Sequence, residues 1–503
     1  MGKKSKRNRS KTNTSTADES RYAPPLRSGN QPETEENLQF ADPFVEEYVE
    51  EDIIDDNCKP PATEDFGGGG CGPSEIVQAW NPLTGDEHQH GELEMDASAY
   101  KMHHAMTPEW PCLSFDFLRD DHGDQRTRFP HTLIAAIGTQ AARADQNQLT
   151  LLRISDMAKM QVETDDDILG EELNREGDDG DDDDDSSSDE EVDLDPVMEH
   201  YSIPHPGGVN RVRVMPQNAD IVATWSDTGA VNLFNVASIR QRFSVGYGSA
   251  ASDPLLDIPT KPFFSYTKHT TEGFAIDWSP AKQGHLVTGD CDGSIHCWSP
   301  RPEGGYAVSP FYKNSDMVDA PSNSVEDLQW SPTEATVFSS AECNGYVRIF
   351  DTRAPNKAML SHQIHAADVN VLSWNHLVSN LLATGGDDGT LAVWDLRHFK
   401  AKPTPLARFT PHKSPISSVE WHPVDESMLA ATDDAGAYIY DLSVEEDDVP
   451  SAMTDENPDI PPQLLFVHCG SEQFKEVHWH PQISSCLMST ALTGFSVFIP
   501  SNL

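Results

Sequence analysis

The feature that most constrains this fold is a motif that returns along the chain with nearly constant internal spacing. An aromatic or apolar residue, usually followed by Ser-Pro or His-Pro, lies 19 or 20 residues before a second aromatic residue. Six copies keep this spacing: Val214/Phe234, Trp278/Trp298, Trp330/Phe350, Trp374/Trp394, Trp421/Tyr440 and Trp479/Phe498. Such self-similarity is typical of repeat architectures, in which each repeat is one small structural unit.

Within each copy, the residue pattern indicates β-strands. Short alternating apolar runs are separated by the hairpin-turn pairs Asp292-Gly293, Asn344-Gly345 and Asp388-Gly389. A four-stranded sheet of this size cannot bury both faces alone, but radial stacking against neighbours does so and leaves only short edges. We therefore predict an all-β fold, a β-propeller. Recurrent histidines before the first strands are predicted to be hydrogen-bonded ties within blades, because they repeat rather than converge: His205, His269, His365 and His412.

The number of copies predicts seven blades. A weaker copy with strands near 113–118, 132–138, 149–154 and 198–203 precedes the other six. The last copy ends at Phe498, after its third strand, so its fourth strand must come from elsewhere, and residues 76–80 are the predicted source. The predicted organisation is a basic then acidic tail (1–72), a strand and helix packed on the propeller (73–111), the propeller (112–503) and an insertion within blade one (161–196).

The charge is strongly acidic and unevenly distributed. The 503 residues carry 83 acidic and 35 basic side chains, a formal charge of −48, which argues against gripping nucleic acid or an anionic membrane and favours a basic protein partner. Thirteen acidic residues lie in 33–65 and nineteen in 161–195, each with one basic residue, so we predict both segments to be disordered. The candidate client-binding residues of the insertion are Asp165, Asp166, Asp167, Glu171, Glu172, Asp178, Asp179, Asp181, Asp182, Asp183, Asp184, Asp185, Asp189, Glu190 and Glu191.

Short motifs bear on regulation and location. Ser186, Ser187 and Ser188 each precede an acidic residue by three positions, which suits an acidophilic kinase, so they are candidate phosphorylation sites. Eight cysteines without a CxxC pair fit reduced thiols in cytosol or nucleus, and no run of 18 apolar residues or secretory signal is present. A basic cluster predicts nuclear import: Lys3, Lys4, Lys6, Arg7, Arg9 and Lys11.

Residues 91–106 show helical spacing. Leu93, Ala97, Tyr100 and His104 fall at i, i+4, i+7 and i+11, one face of a helix that Pro108 and Pro111 would end. We predict an N-terminal helix that packs on the side of the propeller and forms one wall of a groove for a partner helix.

The repeats resemble WD repeats, most clearly in 385–389 (Gly-Gly-Asp-Asp-Gly) followed by Trp394-Asp395. Residues 209–218 and the approach to 109–111 (Glu-Trp-Pro) are similar to the retinoblastoma-associated histone-binding WD proteins. The strings 95–100 and 110–116, with the acidic insertion after the third strand of blade one, resemble the glutamate-rich WD-repeat protein family over about residues 75–500.

That resemblance implies a nucleolar factor of large-subunit ribosome assembly, which chaperones a basic large-subunit ribosomal protein and can also bind histones. The chain departs from the family pattern because its insertion is rich in Asp rather than Glu. Three copies also lack the Trp-Asp pair and carry Phe234-Asn235, Trp298-Ser299 and Phe498-Ile499.

Three rival functions remain. An enzyme is disfavoured, because the chain has no nucleophile elbow, P-loop, HExxH or paired cysteine ligands, and we expect no cofactor and no metal. Residues 394–397 and 350–353 resemble the WDxR box of cullin-type ubiquitin ligase substrate receptors, so Arg397 and Arg353 are candidate adaptor contacts; alternatively, Arg397 only caps a strand end. A general histone chaperone is the third rival. Our leading hypothesis is a monomeric, non-catalytic chaperone of a basic ribosomal protein in nucleus and nucleolus, without sequence-specific nucleic-acid binding.

Overall fold

The computed structural model describes residues 95–160, 195–245, 259–314, 324–400, 402–445 and 460–503. Strands dominate these residues, with one α-helix, α1 (Ala237–Val245), in blade two. Short 3-10 turns lie at Ala97–Ala99, Ala144–Gln146, Cys343–Gly345 and Leu396–His398. The predictions for the tail, the import cluster and the strand at 76–80 fall outside the described residues.

The described strands form seven antiparallel four-stranded sheets, and this confirms the seven-bladed propeller. Blade one is β2 (Cys112–Phe117), β3 (His131–Thr139), β4 (Gln148–Met157) and β5 (Val197–Pro204). Blade two is β6 (Val209–Val214), β7 (Ile221–Ser226), β8 (Val231–Asn235) and β9 (Phe264–Tyr266). Blade three is β10 (Ala275–Trp278), β11 (Leu286–Gly289), β12 (Ser294–Pro300) and β13 (Tyr306–Lys313).

The remaining blades repeat this order until the chain's end. Blade four is β14 (Val325–Trp330), β15 (Val337–Glu342), β16 (Tyr346–Asp351) and β17 (Ala358–Gln363). Blade five is β18 (Val369–Trp374), β19 (Leu381–Gly386), β20 (Leu391–Asp395) and β21 (Ala407–Phe409). Blade six is β22 (Ser418–Trp421), β23 (Met428–Thr432), β24 (Ala437–Asp441) and β25 (Leu464–His468). Blade seven is β26 (Phe474–Trp479), β27 (Leu487–Ala491), β28 (Gly494–Pro500) and, from the other end of the described chain, β1 (Tyr100–Met106).

Strand β1 corrects two predictions. Residues 100–106 form a strand, not a helix, and they occupy the outer position of blade seven that we had assigned to 76–80. The helical spacing was misleading because Tyr100 and Met102 are buried at period two, while β28 presents an edge whose N–H and C=O groups need partners. Pairing runs from Tyr100↔Pro500 to Met106↔Phe495. The prediction that this strand comes from outside the last copy is confirmed.

The repeated histidines are ties within blades, as predicted. In blade three, His269 bonds the Asp290 carboxylate and the Thr288 hydroxyl, both at 2.8 Å, and the indole of Trp298 donates to the same hydroxyl at 2.9 Å. His365 repeats this arrangement in blade five, at 3.1 Å to Asp388 and 2.9 Å to Thr384. These bonds satisfy buried polar groups that would otherwise destabilise the sheet. His205 and His412 also bond within their blades, to Thr224 and Asp433 respectively.

The tryptophans that open the sequence motif link one blade to the next. The indole N–H of Trp278 donates to the carbonyl of Arg213 at 3.1 Å, and Trp330 donates to Asp277 at 3.2 Å. Trp421 and Trp479 repeat this contact with Ser373 and Glu420. The constant spacing of the motif therefore has a structural cause, because its first aromatic residue bonds the preceding blade.

The closing strand gives a stability prediction. The Tyr100 hydroxyl bonds Nδ1 of His468 at 2.8 Å in the core between β1 and blade six. Tyr100→Phe leaves this nitrogen unsatisfied and should lower the free energy of unfolding by about 1–3 kcal/mol, measured by urea denaturation. Tyr306→Phe is the matched control, because its hydroxyl bonds no described residue; equal losses in both variants would contradict the assignment.

Candidate partner-binding surfaces

The seven first strands line a central channel and are bonded to one another around it. Side chains on one inner strand accept backbone N–H groups of the next: Asp116 from Val214 at 2.7 Å, and Asp277 from Trp330 at 2.7 Å. The same contact continues from Asp327 to Leu372, Ser373 to Trp421, Glu420 to Trp479 and Glu476 to Phe115. Between blades two and three the direction is reversed, because Arg211 Nε donates to the carbonyl of Phe274 at 3.1 Å.

Glu476 is the centre of a buried ion network in the channel. Its Oε1 lies 2.9 Å from Arg211 Nη1, 2.8 Å from Arg213 Nη2 and 3.3 Å from His478 Nε2. Burial opposes ionisation, but Arg213, His478 and Arg211 outweigh it and hold the pKa of Glu476 well below its usual range. Burial likewise opposes a charged His478, but Glu420 and Glu476 raise the pKa of His478 to about 10. The network thus joins blades two, six and seven through charge.

A cavity of about 290 Å³ opens where the inner strands end. It is lined by three carboxylates, Asp116, Asp277 and Asp327, whose pKa values burial raises, that of Asp277 to about 8. Because each of these carboxylates already accepts a backbone N–H of the next blade, we assign them to ring closure. Across the described ranges, no three His, Cys, Asp or Glu side chains are grouped to hold a metal ion.

The acidic insertion has well-defined ends in blade one. Strands β4 and β5, which flank it, pair over eight residues from Gln148↔Pro204 to Ser155↔Val197, and Arg153 pairs with Glu199 at 2.8 Å. Met160 N–H donates to the carbonyl of Lys101 on β1, at 3.0 Å. The predicted client-binding residues of 165–191 and the three candidate phosphorylation sites lie outside the described residues.

The predicted groove residues have other roles. Ala97 lies in a 3-10 turn capped by the Asp96 side chain, which accepts from Ser98 N–H. Tyr100 is buried on β1, and His104 is half-buried there, where burial lowers its pKa. The predicted groove wall is therefore wrong for these residues, because their backbone is bonded into blade seven; Leu93 is not among the described residues.

Arg353 and Arg397 occupy equivalent positions after the third strands of blades four and five. Each guanidinium is paired to the aspartate two residues earlier, Arg353 to Asp351 at 2.5 Å and Arg397 to Asp395 at 2.6 Å. The side chains are 75% and 65% exposed. Hydrogen bonds from Arg353 lower the pKa of Asp351 to about 2, and Arg397 lowers the pKa of Asp395 further. Each arginine caps its strand and also presents a guanidinium to solvent, so both sequence interpretations remain compatible with the geometry.

Sequence reasoning missed the channel network. Arg211 and Arg213 alternate with buried valines in β6, and Glu476 and His478 alternate with apolar residues in β26. Charged residues at period two inside a strand that is otherwise apolar were the available signal. The partner could not be inferred, because Arg211 and Glu476 are 265 residues apart.

In the parts of the chain that the structure describes, no helix is long and apolar enough to cross a membrane.

Comparisons with known proteins agree with this architecture. Residues 91–158 match the family of the histone-binding protein RBBP4 and its counterpart in the CAF1 complex, and 357–395 and 403–441 match "WD domain, G-beta repeat". The chain is 40% identical to "Protein HEAT STRESS TOLERANT DWD 1" of Arabidopsis thaliana, over 86% of this chain and 93% of the relative. It is 37% identical to "Ribosome assembly protein rrb1" of Schizosaccharomyces pombe, over 90% and 89%. It is also 38% identical to "Glutamate-rich WD repeat-containing protein 1" of Dictyostelium discoideum, over 86% of each.

The channel network gives a pH prediction. Because the pKa of His478 is raised from 6.5 to about 10, its stabilisation is complete below pH 6.5 and is lost as the pH rises to about 10. Between pH 7 and 9 the folded state holds one proton more than the unfolded state at this site, which should lower the free energy of unfolding by about 1.4 kcal/mol per pH unit. His478→Gln should remove this contribution to the slope, measured by urea denaturation across that range. His200→Gln, on the exposed outer strand β5, is the control, and an unchanged slope in His478→Gln would refute the charge assignment.

Proposed function

We propose, because this chain belongs to the glutamate-rich WD-repeat protein family, that it is a non-catalytic scaffold of ribosome assembly that binds a basic client protein. The observation that carries this proposal is the division between a closed propeller and concentrated negative charge. The described residues carry 35 acidic and 25 basic side chains, so 38 of the 48 net negative charges lie outside them. The fission-yeast relative is named a ribosome assembly protein, which supports this process.

The client that best fits this charge is a basic ribosomal protein of the large subunit, bound by a monomer in nucleus and nucleolus. Acidic side chains of the insertion attract a cationic protein over about one Debye length, about 10 Å at 0.1 M salt. They also neutralise the surface that would otherwise bind nucleic acid. Because β4 and β5 fix both ends of the insertion, the charge is held next to the propeller at high effective concentration.

A core histone is the second candidate client. Residues 91–158 match the histone-binding family, and histones present the same basic chemistry. Affinities for a core histone and for a large-subunit ribosomal protein, measured at equal salt concentrations, separate the two proposals, since stronger histone binding would favour the second.

The insertion gives the main functional prediction. Replacing 163–195 by a neutral Gly/Ser linker of equal length should leave thermal unfolding nearly unchanged, because the flanking strands are already paired in the sheet. Client affinity at low salt should fall by roughly tenfold or more, and its dependence on salt should flatten. Isothermal titration calorimetry at several salt concentrations measures both quantities.

A second acidic segment provides a matched control. Residues 446–459, between β24 and β25 of blade six, contain six acidic residues. Replacing these six by Asn or Gln should reduce affinity less than the same replacement of Asp179 and 181–185. Equal effects would show that net charge alone attracts the client, and an unchanged salt slope after deletion would exclude the mechanism.

The exposed arginines support a further proposal, that blades four and five contact a ligase adaptor. Arg397→Ala should abolish adaptor binding in a pull-down while the circular dichroism spectrum stays unchanged, since the side chain is 65% exposed. Arg143→Ala is the matched control, because Arg143 is also paired to an aspartate two residues away and is 70% exposed. Adaptor binding that survives Arg397→Ala would leave this arginine only its strand-capping role.

A further inference from the structure

The loop between β2 and β3 is firmly attached to blade seven. Gln482 donates to the carbonyl of Asp120 at 3.0 Å and accepts from the Asp120 N–H at 2.7 Å. Arg126 N–H donates to the Gln482 carbonyl at 2.9 Å, and Ser484 N–H donates to the Arg126 carbonyl at 3.0 Å. These backbone bonds give the loop a defined shape beside the joint between the first and last blades.

This loop forms a basic pocket on an acidic protein. The pocket has a volume of about 400 Å³, and its lining includes two arginines and two histidines: His122, Arg126, Arg128 and His131. Arg126 also pairs with Asp120 at 2.9 Å, so one of its charges is partly neutralised. Arg128 is exposed and forms no ion pair with any described residue.

Two buried N–H groups at this pocket lack partners among the described residues, namely Arg126 Nε and His480 Nε2. His480 is 2% exposed, and its Nδ1 accepts from the N–H groups of Gln482 and Ile483, which places its proton on Nε2. Burial and then the charge of Arg126 hold the pKa of His480 well below its ordinary value, so the ring is a neutral donor. Unsatisfied buried donors are costly, and an anion would satisfy them.

The acidic insertion leaves the fold next to this pocket. His131, which lines the pocket, is the cross-strand partner of Met157, the last residue of β4. The segment 161–194 begins four residues later and returns at Val197, the partner of Ser155. At no more than about 3.6 Å per residue, residues 165–167 can extend up to roughly 30 Å from Met157, which is more than enough to reach the pocket.

We propose that this pocket binds a carboxylate or phosphate group, and that its occupant in the free protein is the chain's own acidic insertion. The tether makes binding intramolecular, so weak contacts with Arg126, Arg128 and the two buried donors suffice. A basic client then competes with the pocket for the insertion. This second step rests on the proposed function, whereas occupancy of the pocket does not.

Photo-crosslinking in the full-length protein tests the occupancy without a client. p-Benzoylphenylalanine replaces Thr127, which is exposed on the pocket lining, and crosslinked peptides are identified by mass spectrometry at low salt. We expect crosslinks to 161–194 that decrease at least about fivefold with Arg128→Gln or Arg126→Gln and on addition of inorganic phosphate. Arg143→Gln, which removes the same charge from another loop of blade one, should leave them unchanged.

Several results would overturn the proposal. Crosslinks to 161–194 that are absent, or that persist undiminished in Arg128→Gln, exclude the pocket as the docking site. Preferential crosslinking to an added RNA oligonucleotide, with the insertion left uncrosslinked, would assign the pocket to a different ligand.

Client affinity provides the second measurement. Arg128→Gln in the full-length protein should strengthen client binding by roughly threefold, because the insertion no longer has an internal competitor. The variant with the neutral linker at 163–195 should show no such gain. Failure of the client to bind at all would remove the proposed function but would leave the crosslinking result unaffected.

Discussion

The propeller depends on one antiparallel pairing, between β1 and β28. Six blades are each formed by a continuous stretch of chain, but blade seven contains three strands from 474–500 and one from 100–106. Without β1, the edge of β28 and the apolar residues beneath it would be exposed. The pairing therefore completes the seventh sheet and also fixes the two ends of the described chain to each other, which converts a linear array of repeats into a closed ring.

Closure is shared with the centre of the ring. Around the channel, each inner strand is bonded to the next by side-chain acceptors and backbone donors, and the ion network of Glu476 lies where blades two, six and seven meet. A buried charge of this kind stabilises only when its partners are in place. Arg213 and Glu476 come from distant parts of the sequence, so the network forms only when the ring is closed. It makes closure cooperative and links the centre to the outer pairing of β1.

The sequence predicted the parts of the fold that are local and repeated. Trp278, Trp330, Trp421 and Trp479 recur because each bonds the preceding blade, and His269 recurs in its role as His365, so their spacing carried the information. Tyr100 was misassigned because its i+4 and i+7 neighbours mimic a helix, while the true determinant was the edge of β28, almost 400 residues away. The ion partners of Glu476 and the pocket around Arg126 were missed for the same reason, since they depend on contacts between the first and last blades that no local pattern encodes.

The joint between the first and last blades therefore combines structural and functional features. Strand β1 closes the ring there, Met160 at the start of the insertion bonds β1, and the loop of Arg126 is bonded to blade seven. Because the insertion and the basic pocket are both attached to this joint, their separation is fixed by the same contacts that close the propeller. A client that attracts the insertion acts on a segment held at the one place where the chain's distant ends meet. The physical basis of the proposed function is thus the position of the charge as much as its amount, since an acidic segment on any other blade would lie far from a basic pocket able to hold it.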